Sequence, residues 1–141
     1  MQRRQSAPAT SGEVLSIVKD LRLELSENIN QVKAALSEPQ RIGFLAKGHD
    51  GFSLVHLATS IVEAASTCEQ VALSSGAEPM QRQLAYMVFG LLESFQLSFT
   101  NIDLNDLTRS DVHGLLPALQ EARQVLMEIE LKASLQMSAS T

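Results

Sequence analysis

The chain has 141 residues, of which 45% are hydrophobic, 19% charged and 4% aromatic, with a formal net charge of −5. That length suits one domain able to bury about two-thirds of its unfolded surface without metal or disulfide staples, and the composition excludes a disordered polyelectrolyte. Nine of the eleven basic residues and all sixteen acidic ones lie from Ser11 onward, a net of −7 there, which disfavours a broad nucleic-acid or anionic-membrane footprint.

Residues 1–10 carry Arg3, Arg4, Ser6, Pro8 and Thr10 without periodicity and read as a flexible N-terminal tail. A first helix then begins near Thr10 or Ser11, where Thr10 and Glu13 have the three-residue offset of a capping box. Its stripe, Val14, Val18, Leu21, Leu25, Ile29, Val32 and Leu36, advances by three or four for about seven turns and stops before Pro39. Lys19, Asp20, Arg22 and Glu24 interrupt this run, so it is no signal peptide, and a cytoplasmic location is expected. Residues 39–51 hold Gly43, Gly48 and Gly51 and read as a structured connector, anchored by Phe44 across one end of the helices.

A second helix is predicted from Ser53 to about Leu73, with Leu54, Ala58, Ile61, Ala65, Cys68 and Ala72 as its stripe. Cys68 is the sole cysteine, which excludes an intramolecular disulfide, and it reads as a buried small hydrophobe. Gly76 is available for a left-handed position past the helix end. Pro79 suits the first position of a third helix, because its missing N–H would be unpaired there anyway.

That third helix has Leu84, Val88, Leu91, Phe95 and Phe99 on one face, while Tyr86, Met87, Phe89, Leu92 and Leu97 widen it. It is the most nearly all-round apolar segment, so either it fills the centre or its second face meets a partner. Gly90 costs about 1 kcal/mol relative to Ala in a helix interior, which suggests close backbone packing there. Residues 100–111 are turn-rich, and Thr108 or Ser110 can cap a fourth helix. The last stripe is Leu115, Leu119, Ala122, Leu126, Ile129 and Ala133. Pro117 would clash inside a regular helix, so a short turn over 111–115 and a main helix from near Leu116 to about Met137 are expected. Residues 138–141 read as a flexible C-terminal tail.

The fold expected is therefore all-α: one four-helix, bundle-like domain over residues 11–137, with a structured connector between helices one and two. No 18-residue stretch is free of charge and polar groups, so a membrane span is not expected. Chemistry is sparse. There is no glycine-rich phosphate cradle, cysteine pair or zinc or calcium motif. His49, His56 and His113 lack metal-ligand spacing, and Asp103, Asn105, Asp106 and Asp111 lack the central Gly and terminal Glu of a calcium loop, so neither a metal nor a cofactor is expected. Arg82 and Arg109 could bind an anion together.

Three functions are compatible with these features, from different classes. The preferred one is a non-enzymatic, regulatory or protein-binding domain that contacts another protein or a second copy of itself, with Tyr86, Phe89, Leu92 and Leu97 as candidate contacts. A histidine phosphotransfer domain would use His56, which projects away from the Leu54/Ala58/Ile61 stripe, although the sequence after it is Leu-Ala-Thr-Ser rather than one bearing a lysine. A ligand sensor would hold an apolar cavity between helices two and three.

Overall fold

The computed structural model describes residues 11–45 and 53–140, with side chains described for residues 13–45 and 53–135. Four α-helices are arranged in chain order: α1 (Ser11–Ser37), α2 (Leu54–Leu73), α3 (Pro79–Gln96) and α4 (Arg109–Ser140). Short 3₁₀ turns lie at Pro39–Phe44 and Leu97–Phe99, and there is no strand among the described residues. This is the expected all-α domain with a connector between the first two helices.

In α1 the predicted stripe is the buried one. Val14, Val18, Leu21, Leu25, Ile29 and Val32 are buried, Ala35 takes the last inward position, and Leu36 is only partly covered. Asn28 is also buried, a polar residue inside the stripe, and its Nδ2 donates to the Glu24 carbonyl at 2.9 Å. That bond satisfies the amide one turn back, so its burial carries no unpaired donor. The Thr10 half of the expected capping box lies outside the described residues.

The connector closes one end of the molecule through Ile42 and Leu45, which are both buried. Phe44, the expected anchor, is instead 60% exposed, because the 3₁₀ turn directs Ile42 inward and Phe44 out. The Leu54 N–H donates to the Leu45 carbonyl at 2.9 Å, tying the connector to the start of α2. Ser53 caps that helix by accepting from the His56 N–H at 2.9 Å. Leu54, Leu57, Ile61, Ala64, Ala65, Cys68 and Val71 are then buried. Ala58 and Ala72 are only partly buried, so the inward face is rotated toward Leu57, Ala64 and Val71.

Gly76 does not take a left-handed conformation. Ser74 ends α2 in an extended conformation instead, with its N–H donating to the Val71 carbonyl at 3.1 Å. Its side chain accepts from the Gly76 N–H, and Arg82 donates to its carbonyl. Side-chain and backbone bonds thus do the work expected of a left-handed glycine. Pro79 opens α3 as predicted. Phe95 and Phe99 meet edge to face, with ring centroids 5.5 Å apart, where α3 gives way to the 3₁₀ turn.

The start of α4 corrects the expectation of a turn over 111–115. Thr108 and Asp111 cap the helix reciprocally: the Asp111 N–H donates to Thr108 Oγ1, and the Thr108 N–H to Asp111 Oδ2, both at 3.1 Å. Helix then runs from Arg109 straight through Pro117. An interior proline costs about 3 kcal/mol, but Val112 and Leu115 are fully buried only if the helix continues, and each such burial stabilises by about 1.5–3 kcal/mol. Pro117 and His113, whose carbonyl loses its partner, are both on the exposed side, where water can take over. At its other end α4 continues to Ser140, past the expected boundary near residue 137.

The helices alternate in direction. Arg22 of α1 pairs with Glu130 of α4 and Ser26 of α1 with Arg123 of α4, which fixes those two as antiparallel. On the other flank, Glu24 of α1 pairs with His56 of α2 while Glu13 lies near enough to Cys68 to act on its thiol, so these two are antiparallel again. The closest pairings are α1 with α4 and α2 with α3, and α1 touches every other helix. Among the described helices, none is long and apolar enough to cross a membrane.

Gly90 corrects a second expectation. It lies on the exposed side of α3, and a Cβ built there would meet nothing within 4 Å. No neighbouring backbone requires the glycine, so only its helix-propensity cost remains. Gly90→Ala should raise the stability in urea unfolding by about 0.5–1 kcal/mol.

Candidate functional site

Once the inward arcs are filled, α2 and α3 retain a second set of apolar side chains. On α2, Val55 is 45% and Val62 54% exposed, two turns apart on one arc. On α3, Tyr86 is 70% exposed, Leu97, which opens the 3₁₀ turn after it, is 69% exposed, and the residues between them at the same phase are Gly90 and Glu93. The two helices are antiparallel neighbours packed along their length, and both arcs point away from the core. Leu73 and Met80, on either side of the inter-helix turn, are also exposed.

Sequence reasoning named Tyr86, Phe89, Leu92 and Leu97 as contacts, and the structure divides that set. Tyr86 and Leu97 belong to the outward face. Leu92 is 1% exposed and belongs to the core, because it falls on the same arc as Ala85, Val88 and Phe95. Phe89 is partly buried and packs against the core from its rim. Val55 and Val62, also exposed, were not singled out from the sequence. Their signal was the seven-residue repeat of valines on an arc opposite the buried alanines, which is legible only when the inward phase of α2 is known.

Among the charged groups of this region, α2 has no lysine or arginine at all, and α3 has one, Arg82. Arg82 is committed to the Ser74 carbonyl at 3.3 Å. Glu69 and Glu93 are exposed on the arcs themselves, Glu69 seven residues after Val62 and Glu93 between Tyr86 and Leu97. On the α1 side of α2, a groove is lined by Asp20 and Glu24 of α1 and by Ser60 and Glu63 of α2. The outward side of α2 and α3 therefore mixes apolar and acidic groups, and the remaining carboxylates line the separate α1/α2 groove.

His56 stands at the upper edge of that groove, on the side its phase in the helix predicts. Its ring is 59% exposed, and its Nδ1 lies 2.6 Å from a carboxylate oxygen of Glu24, itself only 12% exposed. The neighbour of this histidine is thus an acid. His49 lies outside the described residues, and His113 is exposed at the start of α4. No group of three or more His, Cys, Asp and Glu side chains converges in a metal-binding arrangement among the described residues. Asp103 and Asp111 accept backbone N–H bonds from Asn105 and Thr108 respectively, which makes them turn and capping residues.

Cys68 is fully buried in the core, and burial, then the negative charge of Glu13, push its thiol up from 9.0 to about 11. It is a neutral thiol near pH 7 and a poor nucleophile. Arg82 and Arg109 are not brought together. Arg82 lies by the turn before α3 and Arg109 begins α4 at the opposite end of the bundle, a helix length of roughly 20 Å away.

A further apolar strip lies on α4. Met127, Leu131 and Leu135 recur every four residues and are 44%, 61% and 61% exposed. Met127 and Leu131 border a groove of about 410 Å³ whose rim is the Arg22–Glu130 ion pair. Comparison with known protein families, with curated proteins and with solved structures finds no match for this chain.

Proposed function

We propose that this chain is a non-enzymatic helical protein-interaction domain whose working surface is the outward face of α2 and α3. The observation that carries the reading is that Tyr86 and Leu97 stand about 70% exposed, and Val55 and Val62 are exposed on the neighbouring helix, although the core is closed without them. Large aromatic and aliphatic side chains held in water on rigid helices lose hydration cost when a partner covers them, and they carry little ordering penalty. A regulatory role is the natural use of such a surface in a chain with little other chemistry.

A phosphoacceptor role for His56 draws less support from the same geometry. A phosphoryl group is anionic, and the carboxylate of Glu24 at 2.6 Å places negative charge beside its acceptor. A ligand-sensing role loses Gly90 as a cavity-lining position, because that residue faces outward. Self-association is favoured by a separate observation, the α4 strip. Set antiparallel on a second copy about Leu131, the strip pairs Met127 with Leu135 and brings Glu128 near Lys132 twice, which is self-complementary.

A photo-crosslinking residue placed at Tyr86 or Leu97 in cells should capture one discrete protein, and the same residue at Ser16 on exposed α1 should not; equal capture at all positions, or none at 86 and 97, would refute the contact face. For the strip, sedimentation equilibrium should show a dimer that Leu131→Glu converts to monomer. A monomer at high micromolar concentration in the unaltered protein would remove self-association.

A further inference from the structure

We infer that two copies of this chain pair antiparallel along α4 with Leu131 at the two-fold, and that reciprocal ion pairs between Glu128 of one copy and Lys132 of the other select that pairing. This rests on the α4 strip being a self-association surface and adds its orientation, its register and the residues that determine both. Met127, Leu131 and Leu135 are exposed and spaced four apart. An antiparallel two-fold sets residues equidistant from its centre level with one another. Centred on Leu131, it places Met127 level with Leu135 of the other copy, so each anchor of the strip meets another. A four-residue slip either way leaves one end of the strip level with Arg123 or Ala139 in place of a large apolar residue.

The charges beside the strip decide the orientation. On a helix of 3.6 residues per turn, Glu128 and Lys132 fall on the same flank, about 60° and 100° round from Leu131. An antiparallel two-fold turns like flanks toward each other. About Leu131 it brings Glu128 of one copy to within roughly 3 Å, along the axis, of the level of Lys132 of the other, and the symmetry makes this contact twice. Both residues are exposed. Glu128 accepts a bond from Gln124 Nε2 at 3.3 Å, and Lys132 forms no ion pair among the described residues.

The opposite flank of the strip carries Glu130, which Arg22 already neutralises at 2.9 Å. A parallel two-fold would turn the Glu128/Lys132 flank against this one, where Glu128 meets Glu130 and the reciprocity is lost. A few helical turns from each copy make a small interface of modest affinity, so the ion pairs act chiefly by choosing which surfaces meet and in which direction.

Sedimentation equilibrium of the full chain tests this with Glu128→Lys and Lys132→Glu. Each variant alone sets like charges against each other across the two-fold, and its dimer is expected to be about tenfold weaker than that of the unaltered protein, with a smaller loss at high salt. Both positions are exposed, so the helical circular dichroism should be unchanged. Mixed one to one, the two variants restore both ion pairs and should form a heterodimer within about threefold of the unaltered affinity. Glu93→Lys, a charge reversal on the exposed side of α3, mixed with Lys132→Glu should restore nothing. Variant dimers as tight as the unaltered one, with Leu131→Glu still monomeric, would overturn the antiparallel pairing and leave self-association standing. Equal restoration by Glu93→Lys would overturn it as well, as an attraction between net charges. An unaltered protein that stays monomeric at high micromolar concentration would overturn both.

Discussion

The apolar stripe of α1, running from Val14 to Ala35, packs against all three other helices and against the connector at its C-terminal end. Each of the other helices is held to the molecule by the arc it turns toward that stripe. Leu57, Ile61 and Cys68 do this on α2, Val88 and Leu92 on α3, and Leu119, Ala122 and Leu126 on α4. Each buried Leu, Ile or Val stabilises by about 1.5–3 kcal/mol relative to exposure, whereas the exposed Arg41–Glu38 pair contributes about 1 kcal/mol at most. Packing of aliphatic stripes, and not surface pairing, therefore sets the fold. The Arg22–Glu130 bond at 2.9 Å is half-sheltered and fixes which residues of α1 and α4 stand opposite each other.

This arrangement determines where the molecule can act. A helix in a four-helix domain has one inward arc, and any apolar residue outside that arc is left in water. On α2 and α3 the inward arc is satisfied by Leu57, Ile61, Ala65, Val88, Leu92 and Phe95. The residues left over, Val55, Val62, Tyr86 and Leu97, add nothing to the core yet lie together on rigid elements. The α4 strip is a second consequence of the same geometry, because Met127, Leu131 and Leu135 fall outside the arc of Leu126, Ile129 and Ala133 that α4 turns inward.

Much of this was legible in the sequence, because the three-and-four spacing of apolar residues depends on helix geometry alone. The α1 stripe from Val14 to Val32 and the burial of Cys68 result directly from it. The proline signals divided: Pro79 opened its helix as expected, but Pro117 did not delay α4, since the Thr108–Asp111 cap and two buried apolar residues outweighed its cost. Gly76 and Gly90 were read from residue type, whereas their roles depend on neighbours that only the fold supplies. The outward apolar residues of α2 and α3 were half visible. Tyr86 and Leu97 could be separated from Leu92 only once the inward phase of α3 was fixed by its packing against α2. The acidic groove between α1 and α2 was not legible, because the meeting of Glu63 with Asp20 and Glu24 depends on how α1 packs on α2.

The central claim is that the outward face of α2 and α3 is surplus to folding and is kept for contact. The most direct measurement is the urea unfolding of a triple variant, Val62→Ser, Tyr86→Ser and Leu97→Ser, against the unaltered protein. The expected result is a free energy of unfolding within about 1 kcal/mol of the original, as for surface substitutions away from structural features. A loss of several kcal/mol, on the scale of large-to-small changes in a core, would mean that these side chains hold the domain together and would contradict the account.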